Sequence, residues 1–348
     1  MRAFLAVLAA VAVVAMGSGA AAKPKWAIVV HGGAGVIERQ DLTPAQDHAY
    51  REAMGRVTEA GAAVLKRGGS ALDAIEAAIQ IMEDDPLFNA GRGAVFAANG
   101  KNELDASVMD GKTLAAGAVA GVTTTRHPIA LARAVMEHSP HVFLVGDGAD
   151  EFARTQSLEQ VDNGFFFTER RWKALESELK LQGLPVPPRP QGAPTAPQAR
   201  ADLVHDEGKH GTVGVVALDS QGNIAAGTST GGTTAKRFGR VGDSPIIGAG
   251  TYASSKSCAV SATGTGEYFI RLTVARSICA LVELKGMSLQ AAADQVIQKD
   301  LGAMKGDGGV IAVAPDGQMA WSFNTSGMYR ARMAEGRPLQ VGIYKDDP

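Results

Sequence analysis

Gly211-Thr212-Val213-Gly214-Val215-Val216-Ala217-Leu218-Asp219-Ser220-Gln221-Gly222-Asn223-Ile224-Ala225-Ala226-Gly227-Thr228-Ser229-Thr230 is the stretch on which the reading of this chain turns. Two short runs of small and β-branched residues flank Asp219–Asn223, a turn composition, so the segment reads as a β-hairpin. With the turn centred on Gln221, opposed residue numbers sum to 442. Leu218 then faces Ile224, Gly214 faces Thr228, and Thr212 faces Thr230. Directly opposed Cβ atoms lie roughly 4.5–5.5 Å apart, so two threonine hydroxyls meet at the open end of the hairpin.

The sequence changes character just before Thr212. Pro185, Pro187, Pro188, Pro190, Pro194 and Pro197 are six of the chain's 15 prolines. With the polar continuation to His210, the segment is expected to be a flexible linker from about 185 to 211, too poor in apolar surface to order itself. Further upstream, Trp26–His31 is a nearly continuous apolar run, expected to be a strand covered on both faces and ending at Gly32-Gly33-Ala34-Gly35. Thr43-Pro44 starts a helix that runs to about Arg67, and Ser70 with Asp73 opens the next, with Leu72, Ile75, Ile79 and Met82 on its buried face. Glu83–Ala94 is a loop. Strands follow near Leu104–Met109 and Ala115–Thr123, then a helix over Pro128–His138. His141–Gly146 reads as a covered strand, followed by helical patterns to about Leu184. Downstream come a strand at Cys258–Ala262, a helix from Glu267 to Lys285 and another from Ser288 to about Asp300. A second hairpin pairs Gly309–Ala314 with Gln318–Asn324. Short two-faced strands with helices before and after them imply stacked sheets between helical layers.

The ends and the composition narrow the class. Arg2, the apolar run Ala3–Met16 and the small residues to Ala22 form a signal peptide, residues 1–22, too short to span a bilayer comfortably. Export with cleavage near Ala22 is expected, which in a bacterium means the periplasm or the outside. The 348 residues carry 34 Lys+Arg and 36 Asp+Glu, and a net charge of -2 argues against a nucleic-acid binder. Aromatics at 5% leave little for stacking on bases or sugars. Glycine is the outlier at 42 residues, well above the usual ~7%, so tight turns or close backbone approaches are expected. Cys258 and Cys279 lack metal-ligand spacing, and two separate buried thiols are expected.

The chemistry follows from what a threonine needs. Its hydroxyl is a poor nucleophile without an adjacent base. His205 and His210 lie in the linker, and no histidine pattern supplies one. An α-amino group, with an ordinary pKa of roughly 7.7–8.0, suits the task if Thr212 is an N-terminus. Scission at Gly211–Thr212 would create it where the linker meets a rigid strand. On the hairpin alone, Thr212 reads first as a plain β-branched strand residue. Three further segments shift that reading. Arg240 and Asp243, in Gly239–Asp243, can grip the carboxylate and ammonium of an amino acid. Thr263-Gly264-Thr265-Gly266-Glu267 joins a strand to a helix and offers backbone N–H groups suited to an oxyanion. Phe88-Asn89-Ala90-Gly91 places an amide in a tight loop.

Seven motifs occur in order: His31–Gly35, Leu87–Gly93, Asp105–Gly111, Gly211–Gly214, Thr228–Gly232, Gly239–Asp243 and Thr263–Glu267. Together they resemble the isoaspartyl peptidase/L-asparaginase (plant-type asparaginase) family of N-terminal-nucleophile hydrolases, over about Lys25 to Tyr344. The resemblance implies an α+β fold, a four-layer αββα sandwich, cut into an α subunit (residues 23–211) and a β subunit (residues 212–348) and paired as an (αβ)2 dimer of heterodimers. It implies Thr212 as nucleophile and base, Thr230 as support for its hydroxyl and amine, Thr263 and Gly264 as the oxyanion hole, and Asn89 as an aid in placing Thr212. Arg240 and Asp243 would hold the substrate's α-carboxylate and α-amine, with Gly266 giving a carbonyl. A structural sodium ion would sit on backbone carbonyls of Met82, Glu83, Asp85, Phe88, Ala90 and Arg92; no catalytic cofactor is implied. Arg92 replaces a common aliphatic residue, and Thr233–Phe238 departs from the common sequence. The expected activity is removal of β-aspartyl residues from dipeptides and deamidation of L-asparagine. The rivals are a glycosylasparaginase, which usually has aspartate where Gly211 stands, and a non-catalytic periplasmic amino-acid-binding protein.

Overall fold

The computed structural model describes residues 23–194 and 211–347. The expected signal peptide, His205 and His210 lie outside the described residues. Strand β1 (Ala27–Gly35) is followed by helices α1 (Pro44–Lys66) and α2 (Ala71–Asp84), strands β2 (Leu104–Asp110) and β3 (Ala116–Val122), and α3 (Pro128–His138). Next come β4 (Phe143–Val145), α4 (Gly146–Thr155) and α5 (Glu169–Leu181). After the linker lie β5 (Val213–Leu218), β6 (Ile224–Thr230), β7 (Thr251–Ala253) and β8 (Ala259–Gly264), then α6 (Gly266–Leu272), α7 (Val274–Lys285) and α8 (Leu289–Asp294). The chain ends in β9 (Gly308–Val313), β10 (Met319–Phe323), β11 (Gly327–Ala334) and β12 (Arg337–Tyr344).

Alternation of side chains along each strand builds the layers. An eight-stranded sheet has the order β12-β11-β1-β5-β6-β2-β3-β4, and a four-stranded sheet the order β10-β9-β8-β7. Ile28, Val30, Val213, Val215 and Ala217 point from the large sheet into a core shared with α1, α2 and α3. Their neighbours Ala27, Val29, Val216 and Leu218 point the other way, against Ala259, Ile311 and Val313 of the small sheet. The far face of the small sheet, with Val260, Ala262, Val310 and Ala312, is covered by α7 and α8. The result is a four-layer αββα sandwich of α+β class.

Both helix starts behave as capping boxes. Thr43 Oγ1 accepts from Gln46 N while the Gln46 side chain accepts from Thr43 N, and Ser70 and Asp73 do the same. In the hairpin, Leu218 faces Ile224, Gly214 faces Thr228 and Val213 faces Ser229, the expected register.

Six expectations are corrected. Strand β1 does not stop at His31; it continues to Gly35 through a bulge between His31 and Gly33, where Gly33 takes φ 113°. Residues 143–145 form a half-exposed edge strand rather than a covered one, since β4 pairs only with β3. The Glu267–Lys285 helix is broken at Thr273, whose φ of 46° caps α6 and opens α7. The helix from Ser288 tightens only to Asp294 and then widens into a π-helical turn over Gln295–Leu301. The described start of the linker is docked: the Arg189 guanidinium makes two hydrogen bonds to Glu169 and lies over the rings of Phe167 and Trp172. Cys258 and Cys279 are likewise not free thiols but form a disulfide, because the entry to β8 packs directly against α7 in the small sheet's outer core.

Candidate active site

Strand register delivers the reactive groups to one place. Thr212 lies at the upstream end of β5 and Thr230 at the downstream end of β6, and their Oγ1 atoms are 3.0 Å apart. Gly232 N donates to Thr230 Oγ1 at 3.0 Å and fixes that hydroxyl. Thr263 stands at the end of β8 on the same inner gap, fully buried, its Oγ1 accepting from Ala34 N. A narrow cleft is lined by Thr212, Thr230, Gly264, Arg240 and Asp243.

Two loops hold the junction. Asn89 Nδ2 donates to the Gly232 carbonyl at 2.8 Å, and Asn89 Oδ1 accepts from Val95 N. The Asn89 backbone N–H donates to the Gly211 carbonyl at 3.3 Å. Gly33 faces the same residue: a Cβ on it would lie 2.7 Å from Gly211 Cα, so only a bare residue lets the two backbones pass.

The charged groups are more constrained than their spacing suggests. Arg240 Nε and Nη2 make two hydrogen bonds to the Glu267 carboxylate, at 3.0 and 3.1 Å. Its remaining nitrogen, Nη1, is the one beside Gly232 and Gly242. Asp243 is buried, and its Oδ2 has no hydrogen-bond partner among the described residues. Burial pushes its carboxyl up to about 7. Gly266 packs against both, since a Cβ there would come within 2.9 Å of Asp243 N and 3.0 Å of Arg240 Nη2.

Charged and polar residues to which the sequence assigned no role surround this centre. Lys236 is buried behind Gly232, its Nζ donating to the Glu103 carbonyl at 2.8 Å and 3.9 Å from Asp105 Oδ2. Asp105 lies opposite Thr230 in the β2–β6 ladder, and burial raises its carboxyl. Lys236 lies in the Thr233–Phe238 stretch already marked as unusual, but beside Arg237 nothing local distinguishes it as the buried one. His31 is buried beside Gly214, and burial lowers its ring to about 3, so it is neutral.

The loop after α2 turns backbone oxygens inward. A Cβ on Gly93 would lie 2.3 Å from the Phe88 carbonyl and 2.9 Å from that of Pro86. A Cβ on Gly91 would lie 2.2 Å from the carbonyl of Glu83. The Glu83 carbonyl also accepts from Arg92 N at 2.6 Å. Neutral oxygen donors of this kind suit a hard cation.

The αββα layers, with hydroxyl side chains converging at the strand ends between the two sheets, define the N-terminal-nucleophile hydrolase fold. Within that class the chain belongs to the asparaginase family, whose sequence pattern matches residues 24–343. It is 47% identical over 322 residues to a protein of Escherichia coli K12 named isoaspartyl peptidase, covering 92% of this chain and 97% of that one. It is 43% identical over 315 residues to the plant-type L-asparaginase of Pyrococcus abyssi, covering 89% and 97% of the two chains. It is 40% identical over 321 residues to the human isoaspartyl peptidase/L-asparaginase, covering 92% and 96%.

Proposed function

We propose that this enzyme cuts itself between Gly211 and Thr212, then removes β-aspartyl residues from isoaspartyl dipeptides and deamidates L-asparagine. The observation that carries the reading is the 3.0 Å pair of Thr212 and Thr230 hydroxyls beside the Gly211 carbonyl. In the precursor, Thr212 Oγ1 attacks the Gly211 carbonyl carbon, polarised by the Asn89 N–H. The C–N bond breaks, the hydroxyl proton passes to the departing nitrogen, and an ester joins Gly211 to Thr212 Oγ1. Water hydrolyses that ester, leaving a Gly211 carboxylate and a free Thr212 α-amine.

That amine is the base for turnover. Thr212 Oγ1 gives its proton to the amine and attacks the β-carbonyl of the aspartyl part. Thr263 and Gly264 donate to the oxyanion. The leaving amine takes the proton, and water then releases aspartate from the Thr212 ester. Arg240 Nη1 meets the substrate α-carboxylate, while Asp243 and the Gly266 carbonyl meet the α-ammonium. Because both free groups of the aspartyl part are gripped, the enzyme acts only on a terminal residue.

A sodium ion on the carbonyls of Met82, Glu83, Asp85, Phe88, Ala90 and Arg92 would stiffen the loop that carries Asn89. The disulfide between Cys258 and Cys279 supports export, since such bonds persist in oxidising compartments. Among the described residues no helix is long and apolar enough to cross a membrane. The mature assembly is an (αβ)2 dimer of heterodimers.

Intact-mass analysis of purified protein tests the central step. Fragments of residues 23–211 and 212–348 are expected, and Thr212→Ala should give one uncut chain. Active enzyme with an intact Gly211–Thr212 bond refutes the chemistry.

A further inference from the structure

Beneath the three threonines lies a second polar layer. Residues two apart on a strand share a face, so Gly214, Thr228 and Ser261 stand directly behind Thr212, Thr230 and Thr263. Gly214 has no room for a side chain: a Cβ there would lie 1.9 Å from Ser261 Oγ and 2.3 Å from His31 Nε2. From that point a chain of contacts crosses the gap between the sheets. His31 Nε2 is 3.1 Å from Ser261 Oγ, which is 2.7 Å from Thr228 Oγ1. Thr228 Oγ1 is 2.6 Å from Thr251 Oγ1, and Thr251 Oγ1 is 2.8 Å from Ser107 Oγ. Ser107 Oγ ends the chain 2.6 Å from the carbonyl oxygen of Ser244, the residue after Asp243. All five side chains are 0% exposed, and they come from five different strands.

Counting protons gives the chain a direction. A carbonyl oxygen cannot donate, so the contact at Ser244 needs the Ser107 proton. Ser107 Oγ is the donor toward both the Ser244 carbonyl and Thr251 Oγ1 and has one proton, which the shorter contact takes; Thr251 gives its own proton to the same carbonyl at 3.3 Å. By the same count Thr228 donates to Thr251, and Ser261 donates to Thr228. The ring nitrogen facing Ser261 must then carry a hydrogen. The 3.3 Å contact from Thr228 to the Gly250 carbonyl loses to the 2.6 Å contact with Thr251.

We propose that His31, as a neutral Nε2–H imidazole, terminates a one-way hydrogen-bond chain that positions the nucleophile, the oxyanion donors and the amine anchor across the two sheets. His31, Ser261, Thr228, Thr251 and Ser107 are positioning residues; none is required to touch substrate. The two ends act differently. Thr228 and Ser261 set the placement of Thr230 and Thr263, and so the chemical step. Ser107 sets the Ser244 carbonyl and with it Asp243, and so substrate binding. This proposal rests on the active site assigned under the proposed function.

The tautomer is measured without reference to activity. Nitrogen-15 NMR of the histidine rings, with the His31 signals identified by their loss in His31→Gln, is expected to show a protonated Nε2 and a bare Nδ1. That state should persist from pH 8 to about pH 5, where an ordinary histidine has become charged. A protonated Nδ1, or a charged ring at that pH, overturns the proposal. In kinetics with L-asparagine, Thr228→Val is expected to lower kcat about tenfold or more with KM little changed, because small misplacement of reacting groups is costly. Thr228→Ser, which keeps the hydroxyl, should restore it. Ser107→Ala should raise KM several-fold and spare kcat. Wild-type kcat in Thr228→Val, or no rescue by serine, overturns the positioning role. If Thr228→Val does not fold, Ser261→Ala is read in the same way. Wild-type protein that hydrolyses neither asparagine nor an isoaspartyl dipeptide would sink the functional reading, while the NMR result still judges the chain's direction.

Discussion

Asp243 carries a buried carboxylate oxygen without a partner among the described residues and holds its proton up to about 7. Burial in a low-dielectric site disfavours the charged form, and an arriving ammonium reverses that. In the proposed role, the free enzyme below about pH 7 would therefore present a neutral acid that cannot form an ion pair with the substrate amine. KM for L-asparagine is expected to fall as pH rises through about 7, and the inflection should vanish in Asp243→Asn, with KM raised about tenfold or more. A pH-independent KM in the wild type would contradict the assignment. The Arg240/Asp243 spacing was legible in the sequence because a glycine-rich loop leaves both side chains free to converge. The bidentate bond between Arg240 and Glu267 was not. It joins residues 27 apart through the start of α6, and only the folded chain brings them together. His31 was visible within a glycine motif, but its neutrality depends on burial that no local pattern reports.

Elements were legible where period and turn chemistry agreed. The β5–β6 hairpin has both, and its register follows from the turn. β11 and β12 escaped notice because Arg330, Arg332 and Arg337 give them a surface-like look. In the fold, Arg330 is buried, with its guanidinium over the rings of Trp321 and Phe323. β4 misled in the opposite sense, since an apolar edge strand reads like a covered one. The disulfide belongs to this scale too. It pins the entrance of β8, the strand that ends at Thr263 and Gly264, to α7 across a sequence separation of 21. Replacing both cysteines by serine should cost about 2–4 kcal/mol in urea unfolding, chiefly by freeing the unfolded chain. Reductant should then have no further effect on the variant, whereas it should destabilise the wild type to a similar degree. Equal stability of wild type and double variant would remove the disulfide from any structural role.

For the molecule as a whole, acid stability is tied to the gap between the sheets. The His31 ring titrates at about 3 when folded, below its ordinary 6.5. The unfolded chain therefore takes up this proton first, and stability is lost as pH falls from about 6.5 toward 3. His31→Gln offers no site for that proton, so its melting temperature should fall less than the wild type's across the window. Identical slopes would show that the ring is not held neutral.

The order of strands in the large sheet has one more consequence. Strands β1, β2, β3 and β4 lie before the Gly211–Thr212 junction, and β5, β6, β11 and β12 after it. In space they interleave, with β1 held between β11 and β5, and β6 held against β2. Uncut, the chain folds as a single thread, every partner within reach of the next. Severed as proposed, the same sheet would be a weave of two threads joined along three of its seven hydrogen-bonded seams. They cannot part without unravelling, and after unravelling each must find the other by diffusion. Scission as proposed would therefore be a ratchet: it would leave the architecture intact while making its reassembly depend on concentration.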